Sequence, residues 1–106
     1  GATYVSRWNT SHGPQAIKAI KTALTHRGFS LVEMVSQCPT HFGRYVLKSS
    51  QAADLVQWIE ENSVLLRDAD KLTPEEKAGK FVLGEFVNIE RPVFTASTMC
   101  KEGDNA

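Results

Sequence analysis

The tetrapeptide CPTH at positions 38–41 contains the residue types in this chain that most directly suggest chemistry. A cysteine and a histidine three residues apart could be half of a zinc site, or the nucleophile and base of a thiol enzyme. A structural zinc site needs four ligands, and the remaining candidates, Cys100, His12 and His26, lack metal-site spacing. A thiol enzyme would also need an orienting group and an oxyanion hole. We therefore predict no metal site and no catalytic residue, and interpret Cys38 as the end of a buried strand.

A second candidate is the Ser-His-Gly sequence at positions 11–13, immediately before a predicted helix. A helix N-terminus can bind a carboxylate or phosphate, although most are simply capped. In open α/β sheets, ligands bind outside the carboxyl ends of the strands, which here are the loops 7–13 and 37–43. Position alone selects the near-site candidates Arg7, Ser11, His12, Gln37, Cys38 and Thr40. For Cys38, a redox-sensing thiol whose pKa is lowered by the neighbouring His41 is an alternative.

The first 43 residues are predicted to form a strand–helix–strand unit that holds these loops. Residues 2–6 are rich in strand formers, and Ser11 is the expected N-cap of the following helix. Gly28 is expected to stop the helix, after His26 and Arg27 complement its dipole. Residues 29–35 are apolar on both faces, a pattern typical of parallel strands buried on both sides. The apolar stripe of the helix is predicted to consist of Ala16, Ile17, Ile20, Ala23 and Leu24.

Residues 44–106 are predicted to form a C-terminal helical and extended segment. An irregular stretch, 37–49, leads to a helix capped by Ser49 or Ser50. The charged stretch 67–72 is expected to be exposed, and Thr73-Pro74-Glu75-Glu76 predicts a capping box on a short helix stopped by Gly79. Residues 81–89 read as a strand, either in a hairpin or at a sheet edge, and the polar tail 95–106 is expected to fray.

These elements predict an α/β fold that is incomplete by itself. One crossover helix covers only one face of a parallel sheet, which leaves the other face and at least one edge exposed. We therefore interpret the chain as the C-terminal end of a larger α/β protein, either cut from it or docked on a partner. Exposed strand faces also favour self-association.

Composition limits the classes of function. The chain has 106 residues, and its 12 basic residues balance 12 acidic ones, which argues against a nucleic-acid binder. No apolar run reaches the roughly 18 residues of a membrane span, and the first residues do not resemble a signal peptide. Two scattered cysteines fit a reducing compartment, so we expect a cytoplasmic protein.

Three runs of sequence resemble one enzyme family. They are QCPTHFGR at 37–44, LVQWIEENSV at 55–64 and GEFVNIERPVF at 84–94. Together they are similar to the C-terminal part of the β subunits of 2-oxoacid:ferredoxin oxidoreductases, over about residues 2–95. The choice of 2-oxoglutarate as the 2-oxoacid rests on the similarity of the last run.

The resemblance implies that the parent complex converts a 2-oxoacid, coenzyme A and oxidised ferredoxin into an acyl-CoA, carbon dioxide and reduced ferredoxin. Thiamine diphosphate with Mg²⁺ would serve as the electron sink, and an iron–sulfur cluster would carry the electrons. The implied partners are the remainder of the β subunit, the α and other subunits, and ferredoxin. Residues 1–43 would complete the sheet of the thiamine-diphosphate-binding domain, and residues 44–106 would pack on that domain or on another subunit.

The chain departs from the family in the residues that hold these cofactors. The Gly-Asp-Gly motif for Mg²⁺ and diphosphate is absent, and two cysteines cannot ligate a [4Fe–4S] cluster. We therefore transfer the reaction to the parent complex, expect no cofactor in this chain, and expect the fragment to be inactive. The alternative is a stand-alone, non-catalytic α/β protein-interaction module.

Overall fold

The computed structural model describes residues 1–93. In chain order they form β1 (Tyr4–Asn9), α1 (Gly13–Thr25), β2 (Ser30–Val35), a π-helix (Pro39–Leu47), α2 (Ala52–Glu61), β3 (Ser63–Leu65), α3 (Leu66–Ala69), α4 (Pro74–Lys77) and β4 (Phe81–Asn88). The tail 95–106, expected to fray, lies outside the described residues. Within residues 1–93 no helix combines the length and the apolar character needed to cross a membrane.

The four strands form one mixed sheet in the order β2-β1-β4-β3. The pairs β1–β2 and β3–β4 are parallel, whereas β1–β4 is antiparallel. The predicted β1–α1–β2 unit with parallel strands is therefore confirmed, and the fold is a mixed α/β domain. The division of the chain at residue 43 stays a prediction.

The position predicted for β4 was wrong. It is neither a hairpin arm nor an edge, because it pairs with β1 on one side and with β3 on the other. Gly84 allows β4 to pass close to α3: its φ is +151°, and a Cβ there would lie 2.9 Å from the Cβ of Leu66. Local sequence could not reveal this position, because the pairing depends on residues about 80 positions apart in the chain.

Helix α1 faces the sheet through small side chains rather than through its predicted stripe. Ala16 and Ala19 are buried. The larger side chains are exposed, by 56% for Ile17, 44% for Ile20 and 81% for Leu24. Alanines allow a helix to approach a sheet closely, so the predicted stripe was wrong for the three large residues and right for Ala16.

Strand β2 was expected to be buried on both faces, and in this structure it is not. It lies at the end of the sheet, and Leu31 and Met34 are among the exposed large apolar side chains. Within residues 1–93 β2 is therefore an edge strand with apolar side chains exposed on both of its faces, and the expectation of a whole uncovered sheet face stays a prediction.

The predicted helix caps were only partly right. His12, not Ser11, is the N-cap of α1, and Gln51, not Ser49 or Ser50, is the N-cap of α2; neither cap makes a side-chain hydrogen bond. Ser49 contributes differently, since its Oγ accepts a hydrogen bond from the Gln51 N–H. The predicted capping box is confirmed: Thr73 and Glu76 exchange both of its hydrogen bonds.

The turn after α1 is held by Gly28 and His26. Gly28 has φ +119°, as expected for the residue that stops the chain from continuing as a helix. His26 lies beyond the last helical residue and binds Thr3, with Nε2 2.9 Å from Oγ1. The Thr3 hydroxyl donates to the Phe29 carbonyl, so it accepts from His26 Nε2–H. His26 therefore ties α1 to the start of β1 rather than only complementing the helix dipole.

Candidate functional site

The carboxyl ends of β1 and β2 lie side by side, which brings the two predicted loops together. The Thr10 N–H donates to the Val35 carbonyl at 3.2 Å, and the Thr10 hydroxyl donates to Gln37 Oε1 at 2.7 Å. The first loop is shorter than predicted, because β1 continues to Asn9. Of the near-site candidates, Ser11, His12, Gln37, Cys38 and Thr40 lie at this edge of the sheet.

Arg7 does not lie at this edge. It is inside β1, where its Nε donates to Glu33 Oε2 of β2 at 2.6 Å. Its guanidinium also lies over the ring of Phe86, 5.7 Å from the centroid. The strand-end position that made Arg7 a candidate was wrong, and its contacts are those of a cross-strand pair on the sheet face.

Asn9 is the polar centre of the site and is fully buried. Its Nδ2 donates to Ser63 Oγ at 3.0 Å, and its Oδ1 lies 2.6 Å from His12 Nδ1. The Ser63 hydroxyl donates in turn to the Ile59 carbonyl at 2.6 Å, so it can only accept from Asn9. A single side chain therefore links the end of β1, the N-cap of α1 and the start of β3.

This network fixes the tautomer of His12. Because Asn9 Oδ1 can only accept, His12 Nδ1 must carry the proton. In the neutral ring Nε2 then keeps its lone pair and can accept a hydrogen bond. The His12 ring also packs near Trp8, with the centroids 6.0 Å apart.

Cys38 precedes the π-helix, where the sequence had predicted irregular chain. The Gly43 N–H donates to the Cys38 carbonyl at 2.9 Å, a spacing of five residues. A hydrogen bond from the backbone of His41 to the exposed sulfur is the largest cause that lowers the pKa of Cys38 to about 7, and the Thr40 hydroxyl, 3.6 Å away, adds to it. Cys38 is exposed and lies three residues beyond the end of β2, so its interpretation as the end of a buried strand was wrong in the burial.

An apolar cleft of ≈ 250 Å³ opens beside Cys38. Three of the side chains that line it are aromatic. The Trp58 ring packs between the other two, with its centroid 4.7 Å from that of Phe42 and 6.2 Å from that of Phe81. The cleft is lined by Val35, Ser36, Gln37, Cys38, Phe42, Leu55, Trp58, Ile59 and Phe81. The cleft therefore places Cys38, which is exposed, beside apolar side chains of α2.

The described residues do not form a complete cofactor site. Among residues 1–93 no group of three histidines, cysteines or carboxylates is placed to hold a metal ion. A thiolate at Cys38 is a soft ligand, but an iron–sulfur cluster on it would need its other ligands from outside these residues. Gln37 and Cys38 line the apolar cleft, whereas His12 bonds to Asn9 at the end of β1.

Sequence reasoning did not single out the residues that organise this edge. Asn9 was included in a loop, and Ser63 was not considered. Their signal is present, since both are small polar residues at the boundaries of apolar strands, but such residues are also common in turns.

Comparison with known proteins gives one consistent result. The chain is 46% identical over 94 residues to the 2-oxoglutarate synthase subunit KorB of Methanocaldococcus jannaschii, which covers 89% of this chain and 34% of that protein. It is 46% and 45% identical over 92 residues to the KorB subunits of Methanothermobacter marburgensis and Methanothermobacter thermautotrophicus. No family model matches the chain, and no solved structure matches it. The resemblance expected from the sequence is confirmed, and the chain spans about a third of the length of these relatives.

Proposed function

We propose that this chain, a relative of the KorB subunits of 2-oxoglutarate synthase over 89% of its length, acts as the C-terminal part of the β subunit of a 2-oxoglutarate:ferredoxin oxidoreductase. The complex would convert 2-oxoglutarate, coenzyme A and oxidised ferredoxin into an acyl-CoA, carbon dioxide and reduced ferredoxin. The observation that carries the proposal is the identity of 45–46% to three KorB subunits.

The geometry supports a contributing role for this chain rather than catalysis by the chain alone. The loops after β1 and β2 meet at one edge of the sheet, where ligands bind in open α/β folds. His12 offers a fixed acceptor nitrogen there, and Cys38 offers an ionisable thiol. The diphosphate, Mg²⁺ and cluster ligands would come from the remainder of the β subunit and from the α and other subunits.

The decisive experiment is an assay of the complete oxidoreductase that carries this sequence in its β subunit. We expect reduction of ferredoxin that depends on both 2-oxoglutarate and coenzyme A. Equal concentrations of pyruvate and of a branched 2-oxoacid provide the matched substrate controls. A complex that reduces ferredoxin with none of these acids would refute the proposal, and a preference for another acid would refute the assignment of the substrate.

A measurement of cofactor binding to the isolated chain tests whether the cofactor site lies in this chain or in the rest of the subunit. The 106-residue chain should give no binding signal with thiamine diphosphate and Mg²⁺ in calorimetry, because residues 1–93 hold no group of metal ligands. Tight binding to the chain alone would contradict the placement of the cofactor site in the rest of the subunit.

A non-catalytic interaction module is the second candidate function. It is favoured by the exposed apolar side chains of α1 and β2, since contiguous apolar surface on a small domain indicates a partner. The two candidates differ in the assay above: a module would form stable complexes with another protein and would never be found in an assembly that oxidises 2-oxoglutarate.

A further inference from the structure

A hollow lies beside α1 on one face of the sheet. Side chains alternate along a strand, so Tyr4, Ser6 and Trp8 of β1 share a face. Glu85 of β4 is paired with Ser6 and therefore lies on the same face. Helix α1 packs on β1 and β2, so the surface over β4 lies next to the helix. The hollow is the space between α1 and β4.

Polar and aromatic side chains surround this space, which we call the polar hollow. Its volume is ≈ 340 Å³, and it is lined by Tyr4, Trp8, Gln15, Lys18, Ala19 and Glu85. Tyr4 and Ala19 are buried, whereas Lys18 and Glu85 are exposed. The charged groups are therefore accessible to a small molecule that enters from solvent.

The polar hollow carries one positive and one negative charge that are not paired with each other. Among residues 1–93, neither Lys18 nor Glu85 takes part in an ion pair. Glu85 Oε1 accepts a hydrogen bond from Asn88 Nδ2 at 3.0 Å, which helps to hold the carboxylate in place. A ligand in the hollow therefore meets an ammonium group and a carboxylate together.

A second hollow, of ≈ 380 Å³, adjoins the first. Trp8 and Gln15 line both hollows. The other residues around the second hollow are mostly apolar, and they are Leu65, Leu66, Arg67, Leu83 and Gly84. We call this space the leucine hollow. Trp8, which is half-buried, thus lies where the polar and the apolar spaces meet.

We propose that the two hollows together form a binding site for a free α-amino acid with a large apolar or aromatic side chain. The carboxylate of the ligand binds the Lys18 ammonium and the Gln15 amide in the polar hollow. The ammonium of the ligand binds the Glu85 carboxylate. The side chain of the ligand packs against Trp8 and extends into the leucine hollow.

The unlike charges favour a zwitterion over other small molecules. A simple anion would be attracted by Lys18 and repelled by Glu85, and a simple cation would meet the reverse arrangement. An α-amino acid satisfies both groups at once. The volumes also fit, since small-molecule sites usually measure about 300–1,000 Å³ and combine apolar walls with a few polar groups.

Calorimetric titration of the complete protein that carries this chain tests the inference, with L-phenylalanine as the probe. Lys18→Gln and Glu85→Gln should each weaken binding about tenfold, because each removes one charge-assisted hydrogen bond. Lys21→Gln is the matched control, since Lys21 lies on the same helix but lines neither hollow. All three positions are exposed, so no variant removes a buried contact.

Three analogues of the probe test each part of the ligand. Phenylpropanoate lacks the ammonium, phenethylamine lacks the carboxylate, and L-alanine lacks the ring. Each should bind at least about tenfold more weakly than L-phenylalanine. A second readout needs no variant: L-phenylalanine should slow the acetylation of Lys18 by an N-hydroxysuccinimide ester, as read by mass spectrometry, and leave that of Lys21 unchanged.

Several results would overturn the inference. One is that millimolar L-phenylalanine gives neither a heat of binding nor protection of Lys18. Another is equal affinity in wild type and in both charge variants, which would place the ligand elsewhere on the protein. Equal affinity for phenylpropanoate and L-phenylalanine would show that Glu85 does not recognise the ammonium, and would refute the zwitterion. Binding requires no turnover, so failure of this inference and failure of the proposed function are observed separately.

Discussion

Replacement of Asn9 by alanine is the most informative single change in this chain. Asn9 is fully buried at the end of β1, donates to Ser63 and accepts from His12. Alanine keeps the strand but removes both hydrogen bonds. Three elements that are distant in sequence then lose the side chain that joins them.

The cost follows from the partners that remain. Ser63 keeps its donation to the Ile59 carbonyl but loses the donor to its lone pair, and the His12 Nδ1–H loses its acceptor. A lost hydrogen bond costs about 1 kcal/mol, and a buried group left unpaired costs about 1–3 kcal/mol. Since His12 is only half-buried and can turn to water, we expect a loss of about 2–4 kcal/mol in the free energy of unfolding.

The assay is urea unfolding of wild type, Asn9→Ala and the control Asn88→Ala. Asn88 is exposed and donates to Glu85 Oε1 at 3.0 Å, so the same chemical change there should cost less than about 0.5 kcal/mol. A second readout is the ¹⁵N spectrum of the His12 ring, which should show a protonated Nδ1 in wild type and a mixture of tautomers in Asn9→Ala. Equal stabilities for the two variants, or a wild-type His12 protonated at Nε2, would refute the reasoning.

Three further predictions concern the thiol, one turn and the cleft. For Cys38, the rate of alkylation should rise with pH through a midpoint of about 7, because the thiolate is the nucleophile and its pKa lies below the ordinary 9.0. Thr40→Val should move the midpoint upward, and a wild-type midpoint near 9 would exclude the redox-sensing thiol. Gly28→Ala should lower the free energy of unfolding by about 1–3 kcal/mol because of its positive φ, whereas Gly13→Ala, with no atom within 4 Å of the added Cβ, should leave it nearly unchanged; calorimetric melting compares them. Trp58→Ala should cost about 3 kcal/mol in urea unfolding, and a loss under 1 kcal/mol would show that its two ring contacts contribute little.

Local sequence patterns predicted where the helices and strands lie better than they predicted which side chains are buried. The capping box at Thr73 and Glu76 was correct because all of its hydrogen bonds lie within four residues. The order of strands was not predictable in this way, since β4 enters the sheet through pairing with β1. The apolar stripe of α1 was assigned to the core although Ala16 is its one buried member, because periodicity shows which side chains share a face and not whether the sheet covers that face.

The candidate site shows the same division. Strand direction correctly predicted that the loops after β1 and β2 meet, whereas the selection of Gln37, Cys38 and His12 as near-site residues stays a prediction. Asn9 was missed because its role depends on Ser63, a residue 54 positions away, and no local pattern connects the two.

The two edge strands of the sheet, β3 and β2, differ in length and in what lies beside them. The edge strand β3 has three residues and leads directly into α3, and Gly84 lets β4 pack closely against that helix. A short edge strand covered by a helix offers little backbone to a further strand. The other edge strand, β2, has six residues, and in the described part of the chain it pairs on one side only, with β1. Within residues 1–93 the two edges of the sheet therefore differ, since one is a three-residue strand next to a helix and the other is a six-residue strand with regular register.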